Sequence, residues 1–343
     1  MAKTIEEYNL FHYPKCNLTP SYLATWQGLA YPSHVIQIVT FPIQILTFYM
    51  IMKHTPVHMK SLKWSILTNH FWCTWLDFTI CGLSTPYVFL QYLGFLGVGV
   101  LSWFQIPYIY QLVPAMLVAF GTSGSYIYLF ESRSYTLQEN RFKFAKNHHR
   151  IIYHFILFLI SLPLFFIFSN VPKNQSAAKL QLLSLDPCPT PEFFLPDVFI
   201  VTTDAHTIHF YIWGFLPVLI FHAACHILFH AGCTIYYIFI APSKVISAYT
   251  RQCQRQFFIG MIFQTAIPVL FLAAPISHSL LSFFTGTLDQ GWMNLAVIVS
   301  GFHGMGESIA ILVVHNSYRN AIWRMVPVYK RKQSQSINII GIL

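Results

Sequence analysis

Apolar positions run in long blocks, and the polar ones gather between them. Reading from charge to charge, the blocks are 16–52, 64–130 broken only by Asp77, 151–172, 205–243, 256–288, and 290–318 broken only by Glu307. A helix that crosses hydrocarbon needs about 20 predominantly apolar residues, because every backbone group must find its hydrogen bond inside the segment. Five blocks suit one helix each, and 64–130 has room for two or three. Two crossings there predict seven spans, at about 28–52, 64–84, 104–130, 151–170, 208–232, 257–283 and 292–315, with a tail over 316–343.

Charge supports that count. With seven spans, sixteen of the twenty Lys and Arg fall on one face: Lys53, Lys60, Lys63, Arg133, Arg141, Lys143, Lys146, Arg150, Lys244, Arg251, Arg255, Arg319, Arg324, Lys330, Arg331 and Lys332. Lys3, Lys15, Lys173 and Lys179 fall on the other. A third crossing within 64–130 would put the first two basic loops on opposite faces. The positive-inside rule then puts the amino terminus outside and the tail in the cytoplasm. Seven of the eleven acids lie on the outer face, and so do two Asn-x-Ser/Thr glycosylation acceptors, Asn17 and Asn174. The expected architecture is one all-α, seven-transmembrane helix bundle in the lipid bilayer.

Composition agrees. The 343 residues are 55% hydrophobic and 9% charged, far below the roughly 25% charge of a soluble domain. The abundance of Phe, Tyr and Trp excludes a solvated coil. The net charge of +9 is spread over loops on one membrane face, so no nucleic-acid partner is indicated.

Candidate chemistry is sparse. Asp77 and Glu307 are the two acids at membrane depth, where a carboxylate needs a partner, hydration or a proton. No Lys or Arg lies in a span, which leaves water, hydroxyls, a cation, or histidines such as His70 and His303. His222, His226 and His230 recur at four-residue steps. Polar lining of a helix interface is preferred to a metal site there, because oxidase-type histidine boxes are missing. No cofactor or metal is expected, and no Gly-x-Ser-x-Gly, Walker or His-Glu-x-x-His motif suggests an enzyme. Among the cysteines, Cys188 can bridge to Cys16 or to Cys81, tethering the longest outer loop. At the inner end of the third span, Glu131 and Arg133 can form a local ion pair whose breakage frees the arginine.

Several runs resemble the nematode serpentine chemoreceptors of class H, which are G-protein-coupled receptors. They are Lys53-His54-Thr55-Pro56 through Met59 to Lys63-Trp64, Asp77, Phe130-Glu131-Ser132-Arg133, Asp186-Pro187-Cys188, Gly301-Phe302-His303-Gly304, and His315-Asn316-Ser317-Tyr318-Arg319. Ser317 stands where that family usually carries proline. The sixth and seventh spans lack the Cys-Trp-x-Pro and Asn-Pro-x-x-Tyr motifs of rhodopsin-like receptors. The resemblance implies detection of an odorant-like small molecule in the outer bundle, activation of a heterotrimeric G protein, and a plasma-membrane location on sensory cilia. On that reading Arg133 gates a cytoplasmic crevice bordered by Arg251 and Arg255. A transporter or channel for a small solute is the alternative, and a membrane oxidase a more distant one.

Overall fold

The computed structural model describes residues 3–241 and 247–325. Lys244, Lys330, Arg331, Lys332 and the tail beyond residue 325 lie outside the described residues. Seven helical runs form the bundle: α1 (Trp26–His54), α2 (Lys63–Asp77, continued by a wider turn over Phe78–Leu83), α3 (Tyr108–Tyr135), α4 (Asn147–Asn170), α5 (Ala205–Ile240), α6 (Thr250–Thr285) and α7 (Gln290–Val314). A short amphipathic α8 (Asn316–Met325) follows. Six of the runs are long and apolar enough to cross a membrane. The more polar α2 carries Asn69, His70 and Asp77, all buried. The third helix starts after Pro107 and continues past the expected boundary at residue 130 to Tyr135, so Glu131 and Arg133 belong to its last helical turns.

Among the described residues hydrophobic packing gathers in a small cluster of Leu137, Ile238 and Phe258 and in two large cores. The inner one joins Met50 and Ile51 of α1, Ile66 of α2, Leu129 and Phe130 of α3, Met261 of α6, Ile311 and Leu312 of α7, and Tyr318 of α8. Tyr318 is fully buried and hydrogen-bonds Thr55 across 2.9 Å, which ties α8 to the end of α1. The outer core lies where Leu29, Ile36, Cys81 and Ile298 meet the loops.

Those loops build a folded cap that the apolar blocks do not reveal. Strands β1 (Pro86–Phe89), β2 (Gly94–Gly97) and β3 (Phe199–Ile200) pair antiparallel in the order β1-β2-β3, with Tyr87 opposite Leu96 and Gly94 opposite Ile200. A disulfide joins Cys16 to Cys188, fastening the amino-terminal segment to the long loop. Cys81 is buried instead beneath Gly301, where an added Cβ would come within 2.1 Å of its sulfur. Tyr8 and Tyr13 donate to the carbonyls of Pro187 and Pro189, and Glu192 accepts from the Trp26 N–H at 3.0 Å. The Lys179 ammonium is buried against the Leu195 carbonyl, and that burial lowers its pKa to about 8 although Asp197 pulls the other way. Burial, helped by Asp186, raises the Tyr92 phenol. Cys188→Ser is expected to cost about 2–4 kcal/mol, because the cross-link closes a very long loop in the unfolded chain. A lower unfolding midpoint, matched by the reduced parent protein, is the check.

Candidate functional site

Between the two cores lies a polar layer built from four helices. Asp77, His70, His303 and Glu307 are each fully buried there. Helix α7 is interrupted at Gly301-Phe302, and a new helix starts at His303. The first N–H groups of a helix have no partner within it and carry partial positive charge. Asp77 of α2 fills that role: its Oδ1 accepts from the Gly304 N–H at 3.1 Å, while its Oδ2 accepts from Gln44 of α1 at 3.0 Å. Glycine at 304 lets the carboxylate approach this closely, because a Cβ there would push against Asp77. His303 Nδ1 lies 3.8 Å from Asp77, and its Nε2 hydrogen-bonds the Tyr126 hydroxyl of α3 at 3.0 Å.

The second carboxylate is held one turn further along α7. Glu307 Oε2 lies 2.7 Å from His70 Nδ1, and Asn69 donates to its Oε1 at 3.4 Å. Asn69 in turn accepts from Ser125 of α3, and His70 Nε2 lies 3.1 Å from the Gln44 carbonyl. Every connection crosses between helices, so the layer fixes how α1, α2, α3 and α7 sit together. The sequence reading named the two acids and both histidines but missed Gln44, Asn69, Ser125 and Tyr126. The buried amides were a usable signal, since an amide inside a span needs an interhelical partner.

At the inner end of α3 the structure corrects the expected ion pair. Glu131, 1% exposed, accepts two hydrogen bonds from Arg150 at the start of α4, from Nε at 2.8 Å and from Nη2 at 2.6 Å. His154 lies 3.5 Å away. Residues two apart on a helix point in nearly opposite directions, so Glu131 and Arg133 cannot share a face while the helix continues through both. Arg133, also buried, reaches toward α6 and donates to the Gln254 carbonyl at 3.1 Å. Arg251 and Arg255 flank Gln254 in the same helix, with the Arg255 guanidinium 5.1 Å from the Phe239 ring.

The histidine row of α5 lies beside this cluster. Tyr153 of α4 hydrogen-bonds His226 at 2.7 Å and His230 at 3.2 Å, and His230 also meets Ser134 of α3 at 3.0 Å. Among the described residues no group of three metal-ligating side chains forms. Asn17 and Asn174 are exposed at the capped end, with Asn174 capping the short helix Gln175–Leu182.

A cavity of about 1210 Å³ runs between α2, α3, α4, α5, α6 and α7. Pro86 and Leu90 of the cap line its outer part, and Arg150 and His154 line its inner part. Most of its wall is apolar. The residue that clamps Glu131 therefore also faces the cavity.

Seven helical runs around a cavity, with a polar layer that joins four of them, are the architecture of a multi-pass membrane protein. The chain matches, over residues 24–328, the family described as serpentine-type seven-transmembrane G-protein-coupled chemoreceptor Srh. It belongs to that serpentine class H family, which comprises receptors and not enzymes. Serpentine receptor class H-72 of Caenorhabditis elegans is 30% identical over 317 residues, covering 91% of this chain and 89% of that relative. In shape the chain is similar to squid rhodopsin, with a TM-score of 0.48 and 14% identity over 92% of this chain and 89% of the rhodopsin.

Proposed function

We propose that this chemoreceptor binds a small molecule in its bundle cavity and passes the event to a heterotrimeric G protein through the inner ends of α3 and α6. The observation that carries the reading is the double position of Arg150, which lines the cavity and clamps Glu131 two residues from Arg133. A ligand with different affinity for two helix packings shifts the balance between them. Displacing α4 loosens Glu131, and the movement of α6 that opens the crevice must break the bond from Arg133 to Gln254. Arg251 and Arg255 then border the opened surface.

The distribution of Lys and Arg supports a cytoplasmic location for that surface, and the disulfide and both glycosylation acceptors at the capped end support an outside amino terminus. We place the protein in the plasma membrane of sensory cilia. Arg133→Ala is expected to change agonist-stimulated nucleotide exchange on a G protein at least several-fold while surface expression stays close to the parent level. Unchanged exchange would remove the gating role. Solute uptake into vesicles without nucleotide exchange would favour the transporter alternative.

A further inference from the structure

The corner where α1, the α1–α2 loop and α8 meet carries bases and no carboxylate. No Asp or Glu occurs from Tyr8 to Leu76 or after Glu307, while Lys53, Lys60, Lys63, Arg319 and Arg324 all fall in those stretches. Three contacts bring them together. Tyr318 of α8 hydrogen-bonds Thr55 just past the end of α1. Met59 and Leu62 of the loop are buried in the inner core with Tyr318, and Ala321 and Ile322 of α8 pack on the same cluster. Lys63, at the start of α2, donates to the Met52 carbonyl of α1 at 2.8 Å. With the apolar side of the corner turned to the core, Lys53, Lys60, Arg319 and Arg324 are exposed, although Arg319 also donates to the Val313 carbonyl. The α3–α4 connection differs, since Glu131 and Glu139 accompany its bases and Arg150 is held by Glu131.

The helix ends set the depth of this corner. Helix α7 ends at Val314 and α8 begins at Asn316, so the corner stands where the span leaves the hydrocarbon. Val57, Trp64 and Trp323 are 88%, 61% and 55% exposed there. Tryptophan is favoured at the level of the lipid head groups. On α8, Trp323 lies between Arg319 and Arg324 on the side away from Tyr318, the pattern of a helix resting in the membrane surface. A cluster of Lys and Arg immediately beyond a transmembrane helix attracts anionic head groups. Long basic side chains reach the phosphates while their stems stay on apolar surface.

We infer that this corner binds an anionic phospholipid, with Lys53, Lys60 and Arg324 on its head group and Trp64 and Trp323 beside its acyl chains. Of the receptor reading above, the site uses only the assignment of the basic face to the cytoplasm, the leaflet where anionic lipids gather. The full-length receptor is placed in phosphatidylcholine nanodiscs with a minor fraction of phosphatidylserine carrying a diazirine close to its head group, and the adducts are mapped by mass spectrometry. Adducts are expected on 53–64 and 316–325, in excess of those from phosphatidylcholine with the same label. Added salt should shrink the excess, because exposed charges are screened. Lys53→Gln, Lys60→Gln and Arg324→Gln should each lower it about fivefold, the effect of one base near a charged surface. Arg141→Gln with Lys143→Gln and Lys146→Gln, in the α3–α4 connection, should leave it unchanged.

Equal labelling of the corner by both lipids, or the same loss from the α3–α4 substitutions, overturns the site. Excess soluble glycerophosphoserine should not compete, and competition by it would overturn the assignment to a lipid in favour of a free phosphate ester. The comparison of the two lipids needs no variant, so a poorly folded one does not blunt it. Nanodiscs expose both faces of the receptor, which makes the outcome independent of topology. Nucleotide exchange measured on the same discs separates the two readings. Selective labelling without any exchange response to ligands refutes the receptor function alone, and a normal exchange response with unselective labelling refutes the lipid site alone.

Discussion

Replacing Glu307 with alanine is expected to destabilise the receptor by about 3–5 kcal/mol, the usual cost of removing one partner of a buried pair. His70 and Asn69 would lose the carboxylate they face. The measurement is the unfolding midpoint in nanodiscs, read with the amount of folded protein recovered. The double change His70→Phe with Glu307→Leu should regain most of the loss, because an apolar pair of similar volume avoids the desolvation that a buried polar pair requires. A loss below about 1 kcal/mol for Glu307→Ala would mean that the pair does not hold α2 against α7.

Arg150→Ala is the second change with a large expected effect. It leaves a nearly fully buried Glu131 carboxylate without its bidentate partner, and about 3 kcal/mol of stability should go with it. Basal nucleotide exchange should rise at the same time, since α4 no longer restrains the end of α3. Arg150→Lys keeps the charge but not the planar fork, so it should recover only part of either property. Glu131→Gln combined with Arg150→Ala should restore stability while exchange stays high. If exchange stays at the parent level in every variant, the clamp is structural and does not restrain activation.

How far the molecule was legible in advance depends on the range over which each feature is determined. Asp77 and Glu307 stood out because a carboxylate in an apolar block is expensive wherever it ends up, and His70 and His303 stood out with them. Gln44 and Tyr126 did not, since nothing in the local sequence ties them to acids so distant along the chain. The cap sheet was invisible because its strands span four, four and two residues, too short for an alternating pattern to register. The local Glu131–Arg133 pair was suggested by proximity along the chain, which is a poor guide on a helix. Arg150, nineteen positions away, reaches the carboxylate because α4 packs beside α3.

By itself the sequence determined that lipid is the solvent, that the chain makes seven helical runs, and which family it belongs to. Those properties follow from local hydrophobicity, from the charges excluded from each run, and from motifs that each occupy a few consecutive residues. Tertiary structure alone decided that Cys188 bonds Cys16 and not Cys81, that Arg150 and not Arg133 holds Glu131, and that Asp77 accepts from the Gly304 N–H. A hydrogen bond or disulfide needs atoms within a few ångströms and correctly aimed, and the packing of distant helices and loops alone supplies that condition.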